Sequence, residues 1–228
     1  KLFTRRDQDG SDGAWVGAGL AARPMPVIDA RELAATEQPL LAAHGFELHT
    51  SRLADPGLDF LDHEEVVRSY YPQCAALLRE ATGARFVAAF DHNVRSAAGK
   101  NSKRRIDGGQ QVQGPARVVH SDYTLTSAPQ RLRDLTQPPT VNDTLRTALG
   151  EGEALLDAAE VEAALAGGRF AIINVWRNIA EEPVATHPLA LCDAASVAPE
   201  DLVVFEIHYH DRIGENYFSK HAERHRWY

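Results

Sequence analysis

The segment His120-Ser121-Asp122 is the strongest candidate for chemistry in this sequence. It lies in a stretch that predicts a β-strand, where side chains two residues apart leave the same face. An imidazole nitrogen and a carboxylate oxygen placed side by side can bind one cation. One further histidine would complete the 2-His-1-carboxylate triad that holds non-haem Fe(II). The His-x-acid pairs that begin at His63 and His221 lie in helical patterns, where positions i and i+2 diverge and cannot share a metal.

Two other histidine pairs are weaker candidates. His221 and His225 would share one helix face and could bind zinc, but Ala222 stands where a zincin motif requires glutamate. We therefore expect a solvated, charged turn there. His208 and His210 share one face of a predicted strand, a pattern that is more typical of core or surface histidines.

Composition excludes several classes of protein. The chain has 228 residues and a formal net charge of −8, so binding to nucleic acid over a broad surface is not expected. No apolar run reaches the length of a membrane span, and no signal-peptide core follows the first residues. Two cysteines do not make a disulfide framework and are typical of a reducing compartment. We predict a cytoplasmic protein with a small-molecule substrate, bound to neither nucleic acid nor membrane; its oligomeric state is not predicted.

The patterns predict an N-terminal arm over residues 1–25, followed by one domain over residues 26–228. Strands are predicted over residues 26–30, 45–49, 86–90, 116–123, 169–176 and 202–209. Helices are predicted over residues 30–43, beginning at Asp29, and 62–81, ending at Gly83, with a helical insert in residues 141–166. The polar, basic and Gly-rich residues 96–115 predict a mobile loop, either a solvated connection or a lid over a site. Helices come early and strands late, which favours an α+β fold with helices packed on a strand-rich core.

Several longer segments resemble one family. They are Gly45-Phe46-Glu47-Leu48, Asp59-Phe60-Leu61-Asp62, Tyr70-Tyr71-Pro72, Phe90-Asp91-His92-Asn93-Val94-Arg95, Gly114-Pro115-Ala116, His120-Ser121-Asp122-Tyr123-Thr124, Asn174-Val175-Trp176-Arg177-Asn178-Ile179, Pro188-Leu189-Ala190-Leu191-Cys192-Asp193-Ala194, Arg212-Ile213-Gly214-Glu215-Asn216-Tyr217 and His225-Arg226-Trp227-Tyr228. In this order they resemble the AsaB- or CmcJ-like hydroxylase/desaturase family, from about residue 26 to the last residue.

The resemblance implies an Fe(II)/2-oxoglutarate-dependent oxygenase with a double-stranded β-helix core of jelly-roll or cupin type, flanked by helices. Its substrate would be a small secondary metabolite or an amino-acid-derived compound, hydroxylated or desaturated at an unactivated C–H bond with O₂. His120 and Asp122 match two of the iron ligands. The third histidine and the 2-oxoglutarate-binding arginine of the family lie beyond the point that matches Tyr228, so we expect a core that is incomplete at the C-terminus.

Further residues are assigned to the predicted site. Because guanidinium groups suit bidentate recognition of carboxylates, Arg177 and, less strongly, Arg131 are candidate partners of 2-oxoglutarate, together with Asn174. The candidate pocket residues are Tyr123, Asn93, Arg95 and Trp176. Two alternatives stay open: a zinc-dependent hydrolase using His120 and Asp122 with His208 or His210, or a catalytically inactive barrel that acts as a binding protein.

Overall fold

A mixed four-stranded sheet is the centre of the fold in the computed structural model. The structure describes residues 2–6, 13, 15–17, 19–97, 112–141, 143–210 and 212–228. The strands are β1 (Phe3–Arg5), β2 (His120–Ser121), β3 (Leu202–His208) and β4 (Ile213–Ser219), in the order β1-β3-β4-β2. β1 runs parallel to β3, and the other two pairings are antiparallel. The predicted α+β class is confirmed at this level.

The β3–β4 hairpin carries the core of the sheet. Phe205 and Phe218 come from facing strands and stack with their ring centroids 4.3 Å apart. Trp15, from the N-terminal segment, stacks on Phe205 at 4.8 Å. Ile207 is buried beside them, so alternate residues of β3 face the core, as the period of a half-buried strand requires. The strand predicted over residues 202–209 is confirmed.

Part of the segment predicted as an N-terminal arm belongs to this sheet. Strand β1 pairs with Glu206–His208, and the Thr4 side chain is buried with its hydroxyl donating to the carbonyl of Gly13 at 3.1 Å. The first residues are therefore held by the sheet at its outer edge. The boundary between arm and domain stays a prediction.

The helices of the described residues are mostly short. They are α1 (Leu41–His44), α2 (His63–Glu65), α3 (Tyr71–Thr82), α4 (Ser127–Asp134) and α5 (Ala158–Gly167), with a π-helical segment at Val66–Tyr70 between α2 and α3. No helix among these residues has the length and apolar character needed to cross a membrane.

The helix predicted over residues 62–81 is confirmed, with both of its ends. Asp62 caps it, because its carboxylate accepts a hydrogen bond from the Glu65 amide at 2.9 Å. Gly83 ends it in the left-handed region at φ 68°, a conformation that glycine adopts without steric cost. The apolar period and both capping residues lie within one short stretch of sequence, so the local sequence is sufficient to predict this helix.

The π-helical segment has a cause in the sequence. Pro72 has no N–H to donate to the carbonyl four residues earlier, and its ring would clash with that carbonyl in a regular α-helix. Instead the Tyr71 N–H donates to the Val66 carbonyl, which widens the turn before the proline. Tyr71 and Val66 are buried and pack with Leu145 in a second apolar cluster. After this wide turn, the consecutive residues Tyr70 and Tyr71 contact different partners.

Several predicted elements are wrong or shorter than predicted. The strands predicted over residues 26–30, 45–49, 86–90 and 169–176 do not form, and 116–123 is reduced to β2. Phe86, the first residue of the strand predicted over residues 86–90, is 62% exposed. In place of a helix over residues 30–43 there are two 3₁₀ turns, Ala30–Glu32 and Ala35–Glu37, and α1, although Asp29 caps the first turn as predicted. The insert in residues 141–166 resolves into the 3₁₀ turn Thr144–Thr147 and α5, and α4 was not predicted.

The segment predicted as a mobile loop, residues 96–115, is described only at its ends. Residues 98–111 lie outside the described part of the chain. At the base of the segment, the Ser96 amide donates to the Gln113 carbonyl at 2.8 Å, and the Gln113 amide donates to the Val94 carbonyl at 2.9 Å. The two ends of the segment are therefore joined, and its behaviour between them stays a prediction.

Candidate metal centre

The structure brings His120 and Asp122 together at the edge of the sheet. β2 pairs with β4, which places His120 opposite Phe218 and Asp122 just past the end of the strand. The Nε2 atom of His120 lies 3.5 Å from Oδ1 of Asp122, and the side chains are 30% and 45% exposed. The predicted juxtaposition of these two groups is present, and an ion can reach it from solvent.

The other polar atoms of the two side chains are occupied. Nδ1 of His120 is 2.7 Å from the Val118 carbonyl oxygen, which can only accept, so Nδ1 carries the proton. Oδ2 of Asp122 accepts a hydrogen bond from Nδ2 of Asn174 at 2.6 Å. Nε2 and Oδ1 are therefore the atoms left to face each other, each with a lone pair in the neutral imidazole and the ionised carboxylate.

The electrostatics favour positive charge between these atoms. The hydrogen bond with Asp122 raises the pKa of His120 against the opposing effect of burial. The same bond lowers the pKa of Asp122, and the Asn174 amide adds to that effect. The charge of Arg95 lowers both pKa values by a smaller contribution. A divalent metal cation placed between these two atoms would benefit from the same electrostatics.

The donor set fits two positions of a facial triad. Imidazole nitrogen and carboxylate oxygen are the ligand types of non-haem iron sites, and each has an outer hydrogen bond of the kind that orients metal ligands. Within the described residues no group of three His, Cys, Asp or Glu side chains could hold a metal ion. His120 and Asp122 present two of the three donor groups of such a triad, and no third donor joins them among the described residues.

The histidines of the zinc alternative lie elsewhere. His208 pairs with Ile213 at the start of β4, whereas His120 pairs with Phe218 five residues further on, about 16 Å along the strand. The Nε2 atom of His208 is 2.8 Å from a carboxylate oxygen of Glu206. Exposed His210 also belongs to no group of three possible metal ligands. The zinc hydrolase hypothesis therefore lacks a third ligand among the described residues.

Arg95 is the predicted pocket arginine whose charge acts on the His120–Asp122 pair. One guanidinium nitrogen, Nη1, donates to the Gly114 carbonyl at 3.0 Å. Its neighbour Asn93 accepts a hydrogen bond from the Gln113 side chain at 2.8 Å. These two bonds hold residues 93–95 against residues 113–114 at the base of the 96–115 segment.

Arg177 faces the helix. Its Nε donates to the Tyr70 hydroxyl at 3.1 Å, and its guanidinium carbon lies 5.9 Å from the centroid of that ring. Exposure alternates along this extended segment: Asn174 and Trp176 are exposed, and Arg177 is half-buried. Asn174 contacts Asp122, whereas Arg177 contacts the helix.

Arg131 belongs to a buried ion pair. Its Nη2 is 2.7 Å from Oδ1 of Asp143, with side chains 12% and 11% exposed, and its guanidinium lies 5.2 Å from the ring centroid of Phe90. Burial opposes the ionisation of Asp143, but hydrogen bonds from Thr140 and the charge of Arg131 outweigh it and lower its pKa. The Tyr123 ring packs edge-on against the Phe90 ring. Burial raises the pKa of Tyr123 to about 12.

The histidines near the C-terminus have no common site. The stretch predicted as helical is a turn in the structure. His221 is paired with Glu223 at 3.0 Å, while buried His225 bonds the buried carboxylate of Asp201 at 2.9 Å. The expected charged turn is present, but His225 has a structural role that the sequence did not indicate.

The segments that carry the family resemblance contact one another. The Tyr71 hydroxyl is 2.8 Å from Nδ1 of His92, which joins two of them. Asp193, fully buried, accepts from the Arg226 guanidinium, and the Phe46 ring lies 5.6 Å from that of Tyr228. The Tyr70–Arg177 and Asp122–Asn174 bonds described above join two further pairs of segments. These contacts form two groups, one around Tyr70, Tyr71 and Asn174 and one around Arg226 and Tyr228.

Comparisons with known proteins give a matching family and several relatives. Residues 7–228 match the family described as oxidoreductase/YMDC permease-like domain. An uncharacterized protein encoded in the dcmA 3′ region of Methylophilus leisingeri is 43% identical over 180 residues, which cover 78% of this chain and 82% of that protein. The alpha-ketoglutarate-dependent dioxygenase tstK of Talaromyces stipitatus is 32% identical over 193 residues, covering 82% of this chain and 60% of that protein.

A solved structure shows the same fold. The iron and alpha-ketoglutarate-dependent endoperoxidase NvfI, in one of its conformations, superposes with a TM-score of 0.69 at 21% sequence identity, covering all of this chain and 72% of that one. This chain spans 60% of the length of the fungal dioxygenase tstK. The predicted relationship to 2-oxoglutarate-dependent oxygenases is confirmed. On the match over residues 7–228, the chain belongs to the oxidoreductase/YMDC permease-like domain family.

Proposed function

We propose that this chain is an Fe(II)- and 2-oxoglutarate-dependent oxygenase that hydroxylates or desaturates an unactivated C–H bond of a small secondary metabolite or amino-acid-derived substrate. The observation that carries the proposal is the 3.5 Å approach of His120 Nε2 to Asp122 Oδ1, with the outer atoms of both side chains already hydrogen-bonded. The similarity of this chain to a named alpha-ketoglutarate-dependent dioxygenase supports the choice of iron over zinc.

His120 and Asp122 would hold the metal through Nε2 and Oδ1. Bound iron would activate O₂, with 2-oxoglutarate as the co-substrate, for the removal of hydrogen from the substrate. We further propose that the sheet β1-β3-β4-β2 is one face of a double-stranded β-helix. The third iron ligand and the 2-oxoglutarate-binding arginine of the family pattern are not assigned to any described residue.

The residues around the pair would shape the pocket. Trp176 is exposed and lies two residues after Asn174 in the sequence, and its ring would shield the reacting bond from water. Arg95 would attract a carboxylate of substrate or co-substrate, because its charge already acts on His120 and Asp122. The candidate contacts of 2-oxoglutarate remain Arg177, Arg131 and Asn174, and the candidate pocket residues remain Asn93 and Tyr123. The two free cysteines support a cytoplasmic location.

The proposal is tested by anaerobic titration with Fe(II) and 2-oxoglutarate. Binding of both should give a weak visible charge-transfer band, and admission of O₂ should then give succinate. His120→Ala and Asp122→Ala should each abolish the band. His221→Ala is the matched control, because His221 lies in the C-terminal turn and pairs with Glu223.

Three results would count against the proposal. The absence of a band and of succinate in the full-length protein at high Fe(II) would favour a binding protein without catalysis. Hydrolytic activity with Zn(II) that ignores 2-oxoglutarate would favour the hydrolase alternative. A band that survives both His120→Ala and Asp122→Ala would place the metal elsewhere.

A further inference from the structure

The hydrogen bond between Asn174 and Asp122 joins segments 52 residues apart. Nδ2 of Asn174 donates to Oδ2 of Asp122 at 2.6 Å, and both residues are exposed. An exposed carboxylate is well solvated without a protein partner, and a hydrogen bond between exposed groups adds little to stability. Its main physical effect is therefore on the direction in which the carboxylate points.

That direction matters because the carboxylate has two oxygens. With Oδ2 held by Asn174, Oδ1 is the oxygen presented to His120 Nε2 at 3.5 Å. Without the bond, the carboxylate would rotate about its Cβ–Cγ bond and present either oxygen or both. The Asn174 bond thus selects a single carboxylate oxygen for the metal side of the pair.

His120 is oriented in a parallel way. Its Nδ1–H donates to the Val118 carbonyl at 2.7 Å, which fixes the tautomer and the ring plane. Each member of the pair therefore has one atom bonded outwards and one atom aimed at its partner. Outer hydrogen bonds of this kind raise the affinity of ligands for a metal because they reduce the freedom lost on binding.

We infer that Asn174 is a positioning residue, which holds the Asp122 carboxylate so that one oxygen binds a divalent metal together with His120. The inference rests on the proposed function for the metal, but it concerns a residue that binds no metal itself. It also gives Asn174 a role different from the contact with 2-oxoglutarate that the sequence favoured.

Titration of the full-length protein with Co(II) alone tests the inference, with the ligand-field absorption as the readout. Asn174→Ala and the nearly isosteric Asn174→Leu should each weaken Co(II) binding by roughly 10-fold or more. Asn174→Gln, which keeps the donor on a longer side chain, should recover part of the loss. Asn178→Ala is the matched control, because its Nδ2 donates to the Glu182 carbonyl at 2.9 Å and not to Asp122. All four variants should unfold at the wild-type urea midpoint.

Four outcomes separate this inference from the proposed function. Wild-type Co(II) affinity in Asn174→Ala and Asn174→Leu, together with loss of binding in His120→Ala, would overturn the inference and leave the proposed function standing. A lowered urea midpoint in both Asn174 variants, or an equal loss of affinity in Asn178→Ala, would assign Asn174 to the fold and also overturn it. No Co(II) binding by the wild-type chain would overturn both. Weaker binding by the Asn174 variants alone, at unchanged stability, is the expected result.

Discussion

Replacing Asp143 by alanine should destabilise the fold through Arg131. Asp143 accepts hydrogen bonds from Arg131 at 2.7 Å, from the Thr140 amide at 2.8 Å and from the Thr140 hydroxyl at 3.0 Å. The Asp143→Ala variant would leave the Arg131 guanidinium against the Phe90 ring without its nearest counter-charge. An uncompensated buried charge is among the few causes of a large loss of stability from one substitution.

The burial of the pair sets the size of the effect. An exposed ion pair contributes below about 1 kcal/mol, whereas removing one partner of a buried pair costs about 3–5 kcal/mol. With 12% and 11% of the two side chains exposed, we expect a loss of about 3 kcal/mol in the free energy of unfolding for Asp143→Ala. Arg131→Met should cost less, about 2 kcal/mol, because Thr140 still satisfies the remaining carboxylate. The double variant should cost less than the sum of the two.

Urea unfolding followed by circular dichroism measures all three values. Arg133→Ala is the control, because Arg133 pairs with Glu162 while both side chains are about half exposed or more, and it should unfold near the wild-type midpoint. The reasoning would be refuted if Asp143→Ala shifted the free energy of unfolding no more than Arg133→Ala does. If Arg131→Met instead raised the KM for 2-oxoglutarate at unchanged stability, Arg131 would be the co-substrate ligand that the sequence predicted.

Three smaller predictions concern the helix over residues 62–82 and its surroundings. Gly83→Ala should cost about 1 kcal/mol, since alanine is strained in the left-handed region, whereas Gly167→Ala, at a helical position with open space around it, should be neutral or slightly stabilising; equal midpoints in urea would contradict this. Asp62→Ala should cost about 1 kcal/mol through loss of the cap, and retention of the wild-type midpoint would show that the cap is redundant. Burial lowers the pKa of His92 from 6.5 to about 4, helped by His63, so the unfolded chain binds this proton first and stability should fall as the pH drops from 6.5 to 4. His92→Asn should flatten that pH dependence in urea titrations, and an unchanged slope would argue against the assignment.

How well each helix or strand could be predicted depends on how far apart in the sequence the residues that form it lie. The helix from Asp62 to Gly83 was predictable because its cap, its apolar period and its terminating glycine lie within about six turns of one another. The run at residues 86–90 has the apolar content of a strand, but a strand also needs a partner, which the sequence pattern of the run does not specify. In the structure that run pairs with no strand, and Phe86 is exposed.

The site was predictable in part for the same reason. His120 and Asp122 are two residues apart, so the geometry of an extended chain alone places them on one side. The Asn174 contact comes from a segment 52 residues away, and its only sequence signal was an asparagine in a β-rich run. The Asp201–His225 bond spans 24 residues, and periodicity suggested a helical charged turn instead.

The parallel pairing of β1 with β3 has a consequence for how the chain reaches its fold. Phe3 pairs with Glu206 and Arg5 with His208, so the first strand waits for a partner that is synthesised about 200 residues later. Pairings of such long sequence separation form slowly, because the entropy of closing the loop is lost before the contact contributes. During synthesis the β1 backbone has an open edge, and the last strand pairing of the sheet can follow only after β3 has left the ribosome. We therefore expect the yield of folded protein to depend on chaperones or on slow translation more than the stability of the finished fold would suggest.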